Sequence, residues 1–110
     1  MGNTKTIQAV LTQASRVIEQ LHRMEKVTCI FWAKRHLEAL TALRHVLHYL
    51  QLREENPKEE TKLILAIKLL DDTWESMLKM SLAMADKTHK EEWTRLLHYK
   101  HKLDKMKRTL

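Results

Sequence analysis

Glycine, proline and cysteine occur once each in these 110 residues, and aromatic side chains make up only 5% of them. Average usage would supply about eight glycines. None after Gly2 means no glycine-rich phosphate loop and no tight nucleophile elbow, so two common enzyme devices are excluded. So little Gly and Pro, beside 44% apolar residues, argues against disordered, collagen-like and strongly turned β architectures. A lone cysteine excludes an internal disulfide framework and makes a reducing compartment the default. Cys29 lies in an apolar run and reads as a small buried side chain rather than a nucleophile. No run approaches the ~18 uninterrupted apolar residues of a membrane span. Residues 7–21, broken by Gln, Arg and Glu, form no secretory signal. The expectation is one soluble domain over residues 1–110, unless a lipid anchors it.

What the chain does have is helical periodicity. Ile7, Val10, Leu11, Ala14, Val17, Ile18, Leu21 and Met24 recur at spacings of three and four, with Thr4 or Thr6 as cap. Thr28 can start a second helix, although nothing forces a break before it. From residue 29, Ile30, Ala33, Leu37, Leu40, Leu43, Leu47 and Leu50 share a face, which Phe31, Val46 and Tyr49 widen. This helix should end near Glu55, because a residue ahead of proline avoids helical angles. Asn56-Pro57-Lys58-Glu59 then supplies an N-cap, a proline at the first helical position and a capping-box glutamate.

The next stripe is Leu63, Ile67, Leu70, Trp74, Met77 and Met84, flanked by Ile64, Ala66 and Leu78. A second cap within Asp71–Glu75 leaves one long helix or two open. Thr88-His89-Lys90-Glu91 opens a basic C-terminal helix over 89–108, with Trp93, Leu96, Leu97, Leu103 and Met106 inward. No strand alternation and no repeat is evident. The fold class is therefore all-α, a compact bundle of four or five helices.

Chemistry is scarce. His45 and His48, and His98 and His101, are paired at a spacing of three, but neither His-Glu-x-x-His nor Cys-x-x-Cys occurs. Asp71 and Asp72 are adjacent and so point to different sides of a helix. No catalytic residue, metal, cofactor or small-molecule substrate is expected. Trp32, Trp74 and Trp93 lie on or near the apolar stripes and read first as core anchors. Tyr99 among Lys100, His101 and Lys102 is the one local hint of a nucleic-acid platform.

Charge carries more. Residues 1–53 hold eight Lys/Arg against three Glu, residues 54–93 six against ten acids, and residues 94–110 six against one, within a net +6. A basic body and a basic tail suit an anionic partner, although solvated charged faces are ordinary on helical proteins. Met1-Gly2-Asn3-Thr4-Lys5-Thr6 fits the N-myristoylation pattern. Small residues at position two also serve methionine removal, and Met-Gly is a common expression scar. One myristoyl chain binds membranes marginally, so residence needs a polybasic patch as well. Lys5, Arg16, Arg23, Lys26, Lys34 and Arg35 are the candidates for that patch. A nucleic-acid alternative rests on Lys100, Lys102, Lys105, Lys107 and Arg108. Ahead of that alternative stands a second reading, which takes the heptad-like stripes of residues 7–24 and 63–84 as self-association or interaction surfaces of a cytosolic module.

Ile30-Phe31-Trp32-Ala33-Lys34-Arg35-His36-Leu37-Glu38 resembles the second helix of lentiviral Gag matrix domains, which carry Ile-x-Trp-Ala-x-Arg-x-Leu-Glu at a similar distance from a myristoylated start. A fainter likeness runs from Arg44 to Leu50-Gln51 and on to Glu59-Glu60. The resemblance implies a helical matrix domain with myristate on Gly2, basic residues facing acidic phosphoinositides, and trimer-like self-association. It also implies attachment to the inner face of the plasma membrane, or presence in a virion. Arg23-Met24-Glu25-Lys26 is shorter and more acidic than the family's lysine-rich hairpin, and the basic tail has only a loose counterpart there.

Overall fold

Four α-helices follow one another along the chain: α1 (Thr4–Arg23), α2 (Ile30–Arg53), α3 (Pro57–Ala83) and α4 (His89–Thr109). The computed structural model describes residues 3–23, 30–83 and 89–110. Each helix packs on its sequence neighbours and α1 also packs on α4, with a weaker diagonal contact between α1 and α3. This is a four-helix bundle with alternating helix directions, 46 × 22 × 17 Å in extent. The 27 residues of α3 account for most of that length, at about 1.5 Å rise per residue.

The apolar stripe of α1 forms as expected. Ile7, Val10, Leu11, Ala14, Val17, Ile18 and Leu21 are all buried, while Met24 lies outside the described residues. They meet Leu40 and Leu47 of α2, Leu63, Leu70, Met77 and Met80 of α3, and Leu96 and Leu103 of α4. Burying a Leu or Ile side chain contributes about 1.5–3 kcal/mol, so this one cluster dominates stability. Trp93 is buried beside it, with the His22 ring set edge-on at 5.1 Å. Trp74 is half-buried against the same core. The side chains of Ile30, Phe31, Trp32 and Ala33, and the residues Thr28, Cys29, Met84 and Thr88, lie outside the described set.

Several local expectations are corrected. Asn3, not Thr4 or Thr6, precedes α1, and its carbonyl accepts the first helical bond from Ile7 N at 2.8 Å. α2 ends at Arg53. Asn56 caps α3, its Oδ1 accepting from Lys58 N at 2.9 Å. Asn56 N, however, donates to Glu54 Oε1 at 3.0 Å and not to Glu59, which pairs with Lys62 instead. Asp71–Glu75 starts no new helix, because the Thr73 hydroxyl donates back to Leu69 O at 2.7 Å and α3 runs on. Val46, Tyr49 and Ile64 face solvent rather than the core, Tyr49 being 56% exposed. Met80, with Thr73 and Ser76, is buried in their place.

Candidate functional site

Of the six cations expected to form one patch, the five among the described residues are spread along the bundle. Lys5, Arg16 and Arg23 are exposed on α1 at separations of roughly three and two turns, so they make one column about 27 Å long. Lys34 and Arg35 belong to the first turns of α2, and Arg35 with Gln20 and Ala39 lines a shallow recess between α1 and α2. Lys26 lies outside the described residues. Asn3 donates from Nδ2 to Glu54 Oε2 at 2.8 Å, placing the start of α1 at the end of α2. Lys34 and Arg35 are therefore at the opposite end of the bundle from Asn3.

The C-terminal cations take their place. Gln8 Nε2 donates to the Lys107 carbonyl at 3.3 Å, so the first turns of α1 run beside the last turns of α4. Lys5 thus shares an end of the molecule with Lys107 and Arg108. The antiparallel pairing continues to the far end, where His22 of α1 meets Trp93 of α4. From Thr94 to Thr109 α4 has one acid, Asp104, against Arg95, Lys100, Lys102, Lys105, Lys107 and Arg108.

That acid is already engaged. Burial alone would raise the Asp104 carboxyl, but hydrogen bonds from Ser15 and Lys100 and the charges of Lys100 and Arg108 outweigh it. The carboxyl is held below its usual range. Lys100 Nζ approaches it at 3.1 Å. The other carboxylate on this flank, Glu19, pairs with Arg23 at 2.8 Å. Lys5, Arg16 and Lys107 have no ion pair among the described residues. The result is an elongated cationic strip built from α1 and α4, suited to an extended anionic surface.

Tyr99 does not present a free ring. It is half-buried, with Lys102 Nζ 5.5 Å from its centroid and the His98 ring tilted against it at 5.8 Å. Among the described residues no three of His, Cys, Asp and Glu are grouped to hold a metal ion, and no helix is long and apolar enough to cross a membrane. The α1 stripe is consumed by the internal core and is not available to a partner. The chain matches no protein-family model, no curated protein and no solved structure.

Proposed function

We propose that this protein is a peripheral membrane-binding module of retroviral-matrix type, held at the inner face of the plasma membrane by an acyl chain on Gly2 and the α1/α4 cationic strip. The observation that carries the reading is the packing of the first turns of α1 on the last turns of α4. Gly2 is one residue, about 3.8 Å, from Asn3. Asn3, to which an acylated Gly2 would be joined, lies at the end of the bundle that carries Lys5, Lys107 and Arg108. The lipid and the strip then reach one bilayer together, and each cation near an anionic leaflet adds about 1 kcal/mol to a marginal acyl anchor. The likeness of residues 30–38 to matrix domains supports the same reading.

The test is intact mass after co-expression with an N-myristoyltransferase, followed by sedimentation with phosphatidylserine and with neutral phosphatidylcholine vesicles. Added acyl mass and binding to the anionic vesicles are expected. An unmodified chain that ignores phosphatidylserine sinks the proposal. A nucleic-acid reading uses the same α4 cations; with the Tyr99 ring covered, it reduces to phosphate contacts, and a steep salt dependence without base preference is its mark.

A further inference from the structure

The other flank of α4 has a different character. Between α3 and α4 runs an open groove of about 510 Å³, floored by Leu65, Leu69, Met106 and Leu110. Leu65 is 54% exposed although it lies in the middle of a long helix. Lys62 and Lys68 border the groove from α3, Lys102 and Lys105 from α4, and Asp72 is the acid among its lining residues. Lys62 already pairs with Glu59, whereas Lys68 and Lys105 have no ion pair among the described residues.

Spacing indicates the shape of an occupant. Lys62, Leu65, Leu69 and Asp72 follow intervals of three, four and three, and Lys102, Met106 and Thr109 follow four and three. Each row is one helix face, with Leu65, Leu69 and Met106 as its apolar members, and a further helix can pack along two such faces. The eleven residues from Lys62 to Asp72 span about 15 Å, which matches about one and a half heptads of a docked helix.

Charge selects its kind. A second copy of this chain would bring lysine rims against lysine rims. A bilayer surface is flat, whereas the apolar residues here line a groove between two helices. A single acyl chain would leave one side wet in so open a groove, whereas an amphipathic helix carries its own polar back. We infer that the α3/α4 groove receives an acidic amphipathic helix of a partner protein, its apolar residues on Leu65, Leu69, Met106 and Leu110 and its carboxylates on the lysine rims. This does not depend on the membrane reading, because Lys5, Arg16 and Lys107 lie on the α1 flank of α4.

The probe is a fluorescein-labelled peptide of about two heptads, leucine at a and d and glutamate at e and g, titrated into the full chain beside a sister peptide with lysine for glutamate. The acidic peptide should bind with Kd on the order of 10 μM, the lysine peptide should not, and amide shifts should fall on residues 62–72 and 102–110. Leu65→Asp, at an exposed position that leaves the fold intact, should weaken binding at least about tenfold. The paired reversal Lys102→Glu/Lys105→Glu should do the same without lowering the thermal midpoint. No binding up to about 1 mM, equal binding of the lysine peptide, or indifference to both variants would overturn the inference. So would phosphatidylserine vesicles or RNA that shift the Leu65 and Leu69 amides as the peptide does.

Discussion

Asp104→Asn should destabilise the bundle by about 1 kcal/mol at neutral pH and by almost nothing in strong acid. The carboxylate of Asp104 links α4 to α1 through Ser15 and is braced by Lys100. A hydrogen bond to a charged group contributes about 1.5–3 kcal/mol, and partial exposure of both Asp104 and Lys100 screens part of it. Asn can still accept from the buried Ser15 hydroxyl through its Oδ1, so the substitution removes the charge rather than the whole bond. The folded-state value of Asp104 is depressed. Its contribution is therefore fully present above the unfolded value of about 3.9 and is lost as pH falls through the lower folded value. Urea unfolding of wild type and Asp104→Asn should show a gap that is constant from about pH 7 to pH 5 and closes below about pH 4. Ser15→Ala should cost less in the Asp104→Asn background than in wild type, the signature of a shared interaction. A gap that widens in acid, or two fully additive substitutions, would refute the α1–α4 link.

The membrane proposal predicts an asymmetry: Lys5→Gln/Arg16→Gln/Lys107→Gln should lower phosphatidylserine-vesicle affinity by about 3 kcal/mol, roughly a hundredfold, while Lys34→Gln/Arg35→Gln changes it far less. Equal losses from both sets, read by sedimentation, would remove the strip from the argument. In the core, Leu11→Ala should cost about 3 kcal/mol in urea unfolding, since the side chain is fully buried. At the α3 cap, Asn56→Ala should cost about 1 kcal/mol, whereas Glu54→Gln should cost less because an amide oxygen can still accept from Asn56 N.

How much of this could be read from the sequence depends on how cleanly a helix separates its apolar and polar residues. The α1 stripe from Ile7 to Leu21 is contiguous and segregated, and every member is buried as its spacing implies. α3 packs on the same number of helices as α1, but its buried arc mixes polar with apolar residues. It takes in Met80, Thr73 and Ser76, which a single-stripe reading passes over. Tyr49 and Val46 show the converse, for an apolar residue beside a stripe is buried only where a neighbour covers it. The cap at Asn56 was legible, but its reciprocal partner was not, because Glu54 reaches forward from the connecting segment where the usual motif reaches back. The cationic strip was the least legible feature. Lys5 and Lys107 are about as far apart in sequence as this chain allows, and only the antiparallel return of α4 onto α1 joins them.

Cations on α4 differ in what they do for the helix itself. Lys107 and Arg108 occupy the last turn of α4, where cations favourably offset the helix dipole, so they favour the fold as well as the strip. Lys105 is a turn earlier, exposed, and set between Lys102 three residues before it and Arg108 three residues after. Like charges at this spacing destabilise a helix by a few tenths of a kcal/mol each. Lys105→Glu replaces two repulsions by two attractions, and should raise stability by about 0.5 kcal/mol, read as a higher urea midpoint with an unchanged m-value. The same change should weaken the acidic peptide in the α3/α4 groove several-fold. Lys105 thus holds its positive charge at a small cost in stability, which an anionic partner in the groove would offset. Should Lys105→Glu lower stability instead, Lys105 is part of the scaffold and the lysine rim loses its claim to a partner.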